Sequence, residues 1–153
     1  MDRQMKTTDV DSILGRALVG RIGTSLNGAP YIVPVNFLYS DGKIYFHSAN
    51  SGQLYTYMKD NPQVCFEVDE IGETVPNADP CKFSFKYKSV IAFGKVSFIQ
   101  EPGDKAAILT KLVEKYDTKK MVNQEVTVDK LDDVAVGEIT LERITGKSNP
   151  ATQ

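Results

Sequence analysis

PYIVPVNFLYSDGKIYFHS, residues 30–48, contains two strand-forming runs on either side of Ser40-Asp41-Gly42, a tripeptide suited to turning the chain back on itself. From Tyr31 to Tyr39 nearly every position is apolar, β-branched or aromatic, which predicts a strand packed on both faces. Pro34 in its middle cannot donate to a ladder. The strand is therefore expected at a sheet edge, at a bulge, or where a ligand replaces the neighbouring strand. Asn36 interrupts the same apolar run, and an amide buried there without partners would cost ~1 to 3 kcal/mol. Its partner is either a backbone group or the polar edge of a bound ring. The return strand, Lys43 to Ser48, carries His47, the only histidine of the chain.

Working outward, Ala17 to Ser25 alternates in character and ends at Asn27-Gly28, two residues that tolerate the positive φ of a tight hairpin. Before it, Thr8 with Asp11 three positions on predicts a capped short helix through Leu14, ending near Gly15 and Arg16. After the return strand, Ser51 is expected to cap a helix bearing Leu54, Tyr57 and Met58, stopped before Asn61-Pro62. Gln63 to Ile71 returns to strand alternation, and Gly72 to Cys81, with its prolines, glycine and asparagine, reads as loop. Ser84 to Gln100 predicts one long strand, or two joined by a bulge at Gly94, with Val90, Ala92, Gly94, Val96 and Phe98 on one face. Pro102 opens the longest helix, which carries Ala106, Leu109, Leu112 and Val113 and ends near Tyr116. Residues 117–133 read mostly as loop, Val134 to Ile144 as the last strand, and Asn149 to Gln153 as a frayed end.

Strands follow one another through short turns, with helices inserted singly, so the regular βαβ alternation of a doubly wound sheet is absent. The expectation is one mainly β domain over residues 1–153, a largely antiparallel barrel with a few covering helices.

Composition narrows the function. Eighteen basic against twenty acidic residues give a net charge of −2, which offers no global field for nucleic acid or an anionic membrane. No apolar run approaches the ~20 residues a membrane span needs, so a cytoplasmic protein with a small-molecule partner is expected. Cys65 and Cys81 form no CxxC pair and read as free thiols. One histidine without HExxH spacing leaves no expected metal site. No GxGxxG, GxxxxGK[ST] or GxSxG motif occurs, which removes the usual nucleotide loops and the hydrolase elbow.

Three candidates for chemistry remain. His47 could hydrogen-bond a cofactor or relay a proton, or be a half-exposed strand residue. Ser51-Gly52-Gln53 opens a helix whose free N–H groups could hold a phosphate, or be simply capped. Lys86-Tyr87-Lys88-Ser89 could offer donors to an anion, or be the solvated start of a strand.

The segments GRIGTSLNGAPYIVPVNFLYSDGKIYFHSA (residues 20–49), NPQVCFEVDE (61–70), SVIAFGK (89–95) and ITGK (144–147) together resemble the pyridoxamine 5′-phosphate oxidase-like FMN-binding split-barrel family, and within it the nitroimidazole-resistance (Nim-type) branch. The likeness runs from about Val10 to Lys147. It implies a six-stranded antiparallel split β-barrel, a homodimer, and FMN bound in two clefts between the subunits. The implied contacts are Pro34, Val35 and Asn36 beside the isoalloxazine, Phe46, His47 and Ser48 at ring and ribityl, and Ser51 and Gln53 near the phosphate. Ser89 would come from the partner chain, with Lys88 close by.

One position departs from the family pattern: the lysine that members often carry for the phosphate is absent at Gln53 and Leu54. FMN binding is then expected either to be weaker or to rely on another cation, such as Lys59 or Lys88. The implied activity is FMN-dependent reduction of a small, flat acceptor such as a nitroaromatic, with His47 as the catalytic residue positioning acceptor or proton. The alternatives are a flavin- or haem-binding carrier or sensor without turnover, and pyridoxamine phosphate oxidation. For the latter, the C-terminal strand offers only Arg143 and Lys147 to a phosphorylated substrate.

Overall fold

The computed structural model of the protein describes residues 4–121 and 126–149. In chain order the elements are α1 (Thr7–Arg16), β1 (Gly20–Leu26), β2 (Ala29–Val35), β3 (Phe37–Ser40), β4 (Lys43–Ala49), α2 (Gln53–Asp60), β5 (Gln63–Val75), β6 (Ser84–Phe98), α3 (Pro102–Tyr116) and β7 (Val134–Asn149). Single 3₁₀ turns occupy Pro80–Lys82 and Val128–Lys130. The strands form one antiparallel sheet in the order β2-β1-β5-β6-β7-β4-β3.

That order contains the main correction to the sequence reading. The run from Tyr31 to Tyr39 is two strands rather than one, so the sheet has seven strands where six were expected. Val35 pairs with Gly20 on β1, whereas Phe37 pairs with Phe46 on β4. β2 and β3 are therefore the opposite edges of the sheet, yet Asn36 alone separates them in the chain. The sheet must curl until its two edges meet at that residue. The result is a barrel split along the β2/β3 seam, and Pro34 sits on an edge strand, where a missing donor is tolerated.

Local chemistry explains the short turns. Asn27 and Gly28 take φ of 51° and 81°, and Asp41 and Gly42 take 53° and 72°, the double positive φ that two-residue hairpins require. Inside the barrel, Ile22, Phe37, Ile44, Phe46, Phe66, Val68, Val90 and Ile139 are buried, and α1 adds Val10, Ile13 and Leu14 to the same core. Phe37 and Phe66 meet edge to face, with ring centroids 4.9 Å apart. Two glycines permit close approaches. A Cβ on Gly137 would lie 2.3 Å from the Phe46 ring, and one on Gly94 would lie 2.2 Å from the Thr140 carbonyl oxygen. Gly94 adjoins the β6/β7 register shift, as the sequence predicts.

Other expectations need adjusting. β2 is not buried on both faces: Pro30, Ile32 and Pro34 are exposed, because an edge strand without an outer layer leaves that face open. β5 continues past Ile71 to Val75, so the intervening loop begins only at Pro76. The cap of α2 is Gly52, at φ 91°, rather than Ser51, and that of α1 is Lys6 rather than Thr8. β7 extends beyond Ile144 to Asn149, whose amide donates to the Phe85 carbonyl at 2.9 Å. The remainder of the expected frayed end, residues 150–153, lies outside the described residues, as does 122–125 within the expected loop. Among the described residues no helix is long and apolar enough to cross a membrane.

Candidate functional site

Strand alternation sorts β4 into two faces. Ile44 and Phe46 point into the core, and His47 is exposed on the other side. At the seam, Val35 and Phe37 are buried and Asn36 between them faces outward. The expected burial of Asn36 is thus corrected: the strand changes partner there and turns its amide to the surface.

α3 packs against β3, β4 and β7. Its Leu109, Leu112, Val113 and Tyr116, together with Val126, Leu131 and Val134 from the following segment, line an open cavity with Asn36 and His47. Its volume is about 310 Å³, at the small end of the range for ligand sites. The wall is aliphatic, with an amide, an imidazole and a phenol set into it. Neither Asn36 nor His47 makes a side-chain hydrogen bond to another described residue. The same wall is tied to the start of α2, since the Asn50 amide donates to the Asp132 carbonyl at 2.8 Å.

The last turn of α3 closes the seam. The Tyr116 hydroxyl accepts from the Phe37 N–H at 2.9 Å and donates to the Leu18 carbonyl at 2.7 Å, with the Phe37 carbonyl also near at 3.1 Å. Lys115 Nζ donates to that Phe37 carbonyl at 2.9 Å and stands 4.0 Å from the Phe37 ring centroid. Burial pushes the Lys115 amine down to about 8 and raises the Tyr116 phenol, the latter partly offset by the hydrogen bond from Phe37. Together they satisfy edge-strand groups that have no neighbouring strand on that side.

The remaining predicted residues fall into groups. Pro34 is exposed on β2, while the side chains of Val35 and Phe46 face the core. Ser48 Oγ donates to the Ala49 carbonyl at 3.0 Å. Ser51 and Gln53 are exposed at the start of α2, where the Gly52 cap lends no side chain to the first-turn N–H groups. Lys88 and Ser89 lie far off. The β7 partner of His47 is Val136 and that of Ser89 is Lys147, eleven positions further along, which at ~3.3 Å per residue separates them by roughly 35 Å of strand. Lys88 lines a different cavity of about 290 Å³, with Glu70, Ile71, Lys86 and Tyr87 among its walls. One chain thus unites Asn36 with His47 and leaves Lys88 and Ser89 apart.

The sequence reading missed the α3 wall and the Lys115-Tyr116 clamp. The apolar stripe of α3 was visible but carries no mark that separates core packing from cavity lining.

A family model described as pyridoxamine 5′-phosphate oxidase matches residues 6–148. The chain belongs to the pyridoxamine 5′-phosphate oxidase family. Solved structures agree in fold. A candidate 5-nitroimidazole antibiotic resistance protein from Bacteroides thetaiotaomicron is 25% identical, with a TM-score of 0.76 over 95% of this chain and 86% of that one. A flavocytochrome from Azotobacter vinelandii, at 19% identity, gives 0.83 over 95% and 68% of the two chains. An FAD- and haem-binding protein from Mycobacterium smegmatis, at 15% identity, gives 0.87 over 98% and 75%. No curated protein matches the chain. The relatives of this family member therefore include a nitroimidazole-resistance type, in line with the resemblance read from the sequence.

Proposed function

We propose that this pyridoxamine 5′-phosphate oxidase family member binds FMN in a cleft completed by a second copy of the chain, and uses it to reduce a small, flat acceptor such as a nitroaromatic. The observation that carries this reading is the cavity of about 310 Å³ in which Asn36 and His47 face an aliphatic wall. A flat ring system has apolar faces for Leu112, Val113 and Leu131 and a polar edge for the Asn36 amide. Val35 and Phe46, whose side chains face the core, would contribute main-chain groups only.

The phosphate end also has a physical basis. The first-turn N–H groups of α2 lack a side-chain cap and, with Ser51 and Gln53 beside them, would be the groups to receive the phosphate. Lys59 lies near the Tyr55 ring, 5.9 Å from its centroid. A charge-assisted contact would come instead from Lys88, and a hydroxyl from Ser89, of the second copy, because neither residue reaches the cavity of its own chain. Ile71, exposed at 69% on the wall of the cavity that Lys88 also lines, gives that second copy an apolar side chain to cover.

Bound FMN would supply the electron transfer. The chain's share is to bind, orient and exclude water, with an imidazole nitrogen of His47 holding the acceptor or passing it a proton. The neighbour associated with nitroimidazole resistance supports this reading. A second reading, a flavin or haem carrier without turnover, draws on the flavocytochrome and the FAD- and haem-binding neighbour, and on a lone imidazole facing an apolar cavity. The deciding experiment is steady-state reduction of a nitroaromatic with reduced nicotinamide as donor. The FMN-loaded protein should turn over faster than free FMN and slow by ~10²-fold or more in His47→Ala, the low end for a positioned proton donor. Flavin bound without turnover would replace the enzyme with the carrier.

A further inference from the structure

The seam at Asn36 is where the barrel is least self-supporting. On either side of it the chain runs along a sheet edge, with a ladder partner on one side only. At that point one phenol and one amine, from consecutive residues of α3, hold main-chain groups of Phe37, the residue after Asn36. The phenol also holds the Leu18 carbonyl, so α3, the α1–β1 linker and the seam share one hydrogen-bonded node.

We propose that Tyr116 is a positioning residue for the cofactor: it fixes the direction in which Asn36 enters the cavity by clamping the main chain at Phe37. The inference rests on the flavin reading. A hydroxyl has one donor and two acceptor positions. Tyr116 uses its donor on Leu18 and one acceptor position on Phe37, so it has no proton to offer a ligand without releasing the seam. It acts through Asn36 rather than beside it. Phe37 is itself anchored, fully buried and edge-on to Phe66, and Val35 on the other side is buried too. With both neighbours fixed, the outward vector of Asn36 follows from where the Phe37 amide is held. Lys115 fastens the other main-chain group of Phe37 and reinforces the same geometry.

The test is a double-variant cycle on FMN binding, read by quenching of flavin fluorescence and by the visible band of the bound flavin. Tyr116→Phe keeps the ring and removes only the hydroxyl. It should weaken FMN binding about tenfold and shift the bound flavin band in the same sense as Asn36→Ala, the scale of coupling between residues in one network. The Tyr116→Phe/Asn36→Ala double variant should then bind no more weakly than Asn36→Ala alone. Lys115→Met should move both readouts the same way by a smaller amount, which keeps the test intact if Tyr116→Phe folds poorly. Effects that multiply, or a Tyr116→Phe variant that binds FMN with wild-type affinity and spectrum, would overturn the positioning role while leaving the flavin reading standing. A wild type that takes up no FMN overturns both.

Discussion

Lys115 offers a stability test that needs no ligand. Its amine is packed over the Phe37 ring and bonded to the Phe37 carbonyl, with burial holding it at about 8 against an ordinary 10.5. Between those values the unfolded chain carries a proton that the folded chain does not. By linkage, stability therefore rises with pH across that window, and the cost of the buried charge is present in full below pH about 8. At ~1.4 kcal/mol per pKa unit the ceiling is about 3 kcal/mol. Residual solvent contact and the attraction of the Phe37 ring reduce it, and the expected gain is about 1 to 2 kcal/mol. Lys115→Met removes the titration. It also loses a hydrogen bond worth ~1 kcal/mol, so near pH 7 the two proteins should have similar stability. Urea unfolding of both at pH 7, 8.5 and 10 measures the difference, in which all other titrating groups cancel. The wild type should gain on the variant steadily as pH rises. A difference that is flat with pH, or that moves against the wild type, would refute the argument.

Two further outcomes are expected. Gly94→Ala places a methyl 2.2 Å from a backbone carbonyl that cannot step aside, so it should lower stability by about 3 kcal/mol or more in the same urea assay. Ile71→Glu alters an exposed side chain and should leave the single chain folded; light scattering at micromolar concentration should then report a monomer, against the dimer proposed for the wild type, with FMN uptake lost alongside.

What the sequence revealed and what it hid divide along the line between local and non-local causes. Asn27-Gly28 and Asp41-Gly42 are legible because the positive φ they adopt is a property of those residues. Gly94 as a bulge and Pro34 on an edge were legible for the same reason. The seam was not. Val35 and Phe37 keep the inward alternation unbroken across Asn36, and only the change of partner from β1 to β4, a fact about distant strands, divides the run. The apolar outer face of β2 reads as buried because sequence pattern cannot tell a layer of the same chain from a layer that is absent. Gly72 and Glu73 look like a turn but form an irregular step between Ile71 and Thr74 inside one long strand. For the site, His47 and Asn36 stood out as a lone imidazole and an interrupted apolar run. Lys115 and Tyr116 did not, since their importance arises only when the end of α3 meets Phe37.

The most direct test of the account is a titration of the purified protein with FMN, followed in the visible spectrum and by gel filtration. About one FMN should be retained per chain, with a band displaced from that of free flavin and uptake reduced in Asn36→Ala. FMN that elutes entirely free, with an unperturbed spectrum, would contradict it.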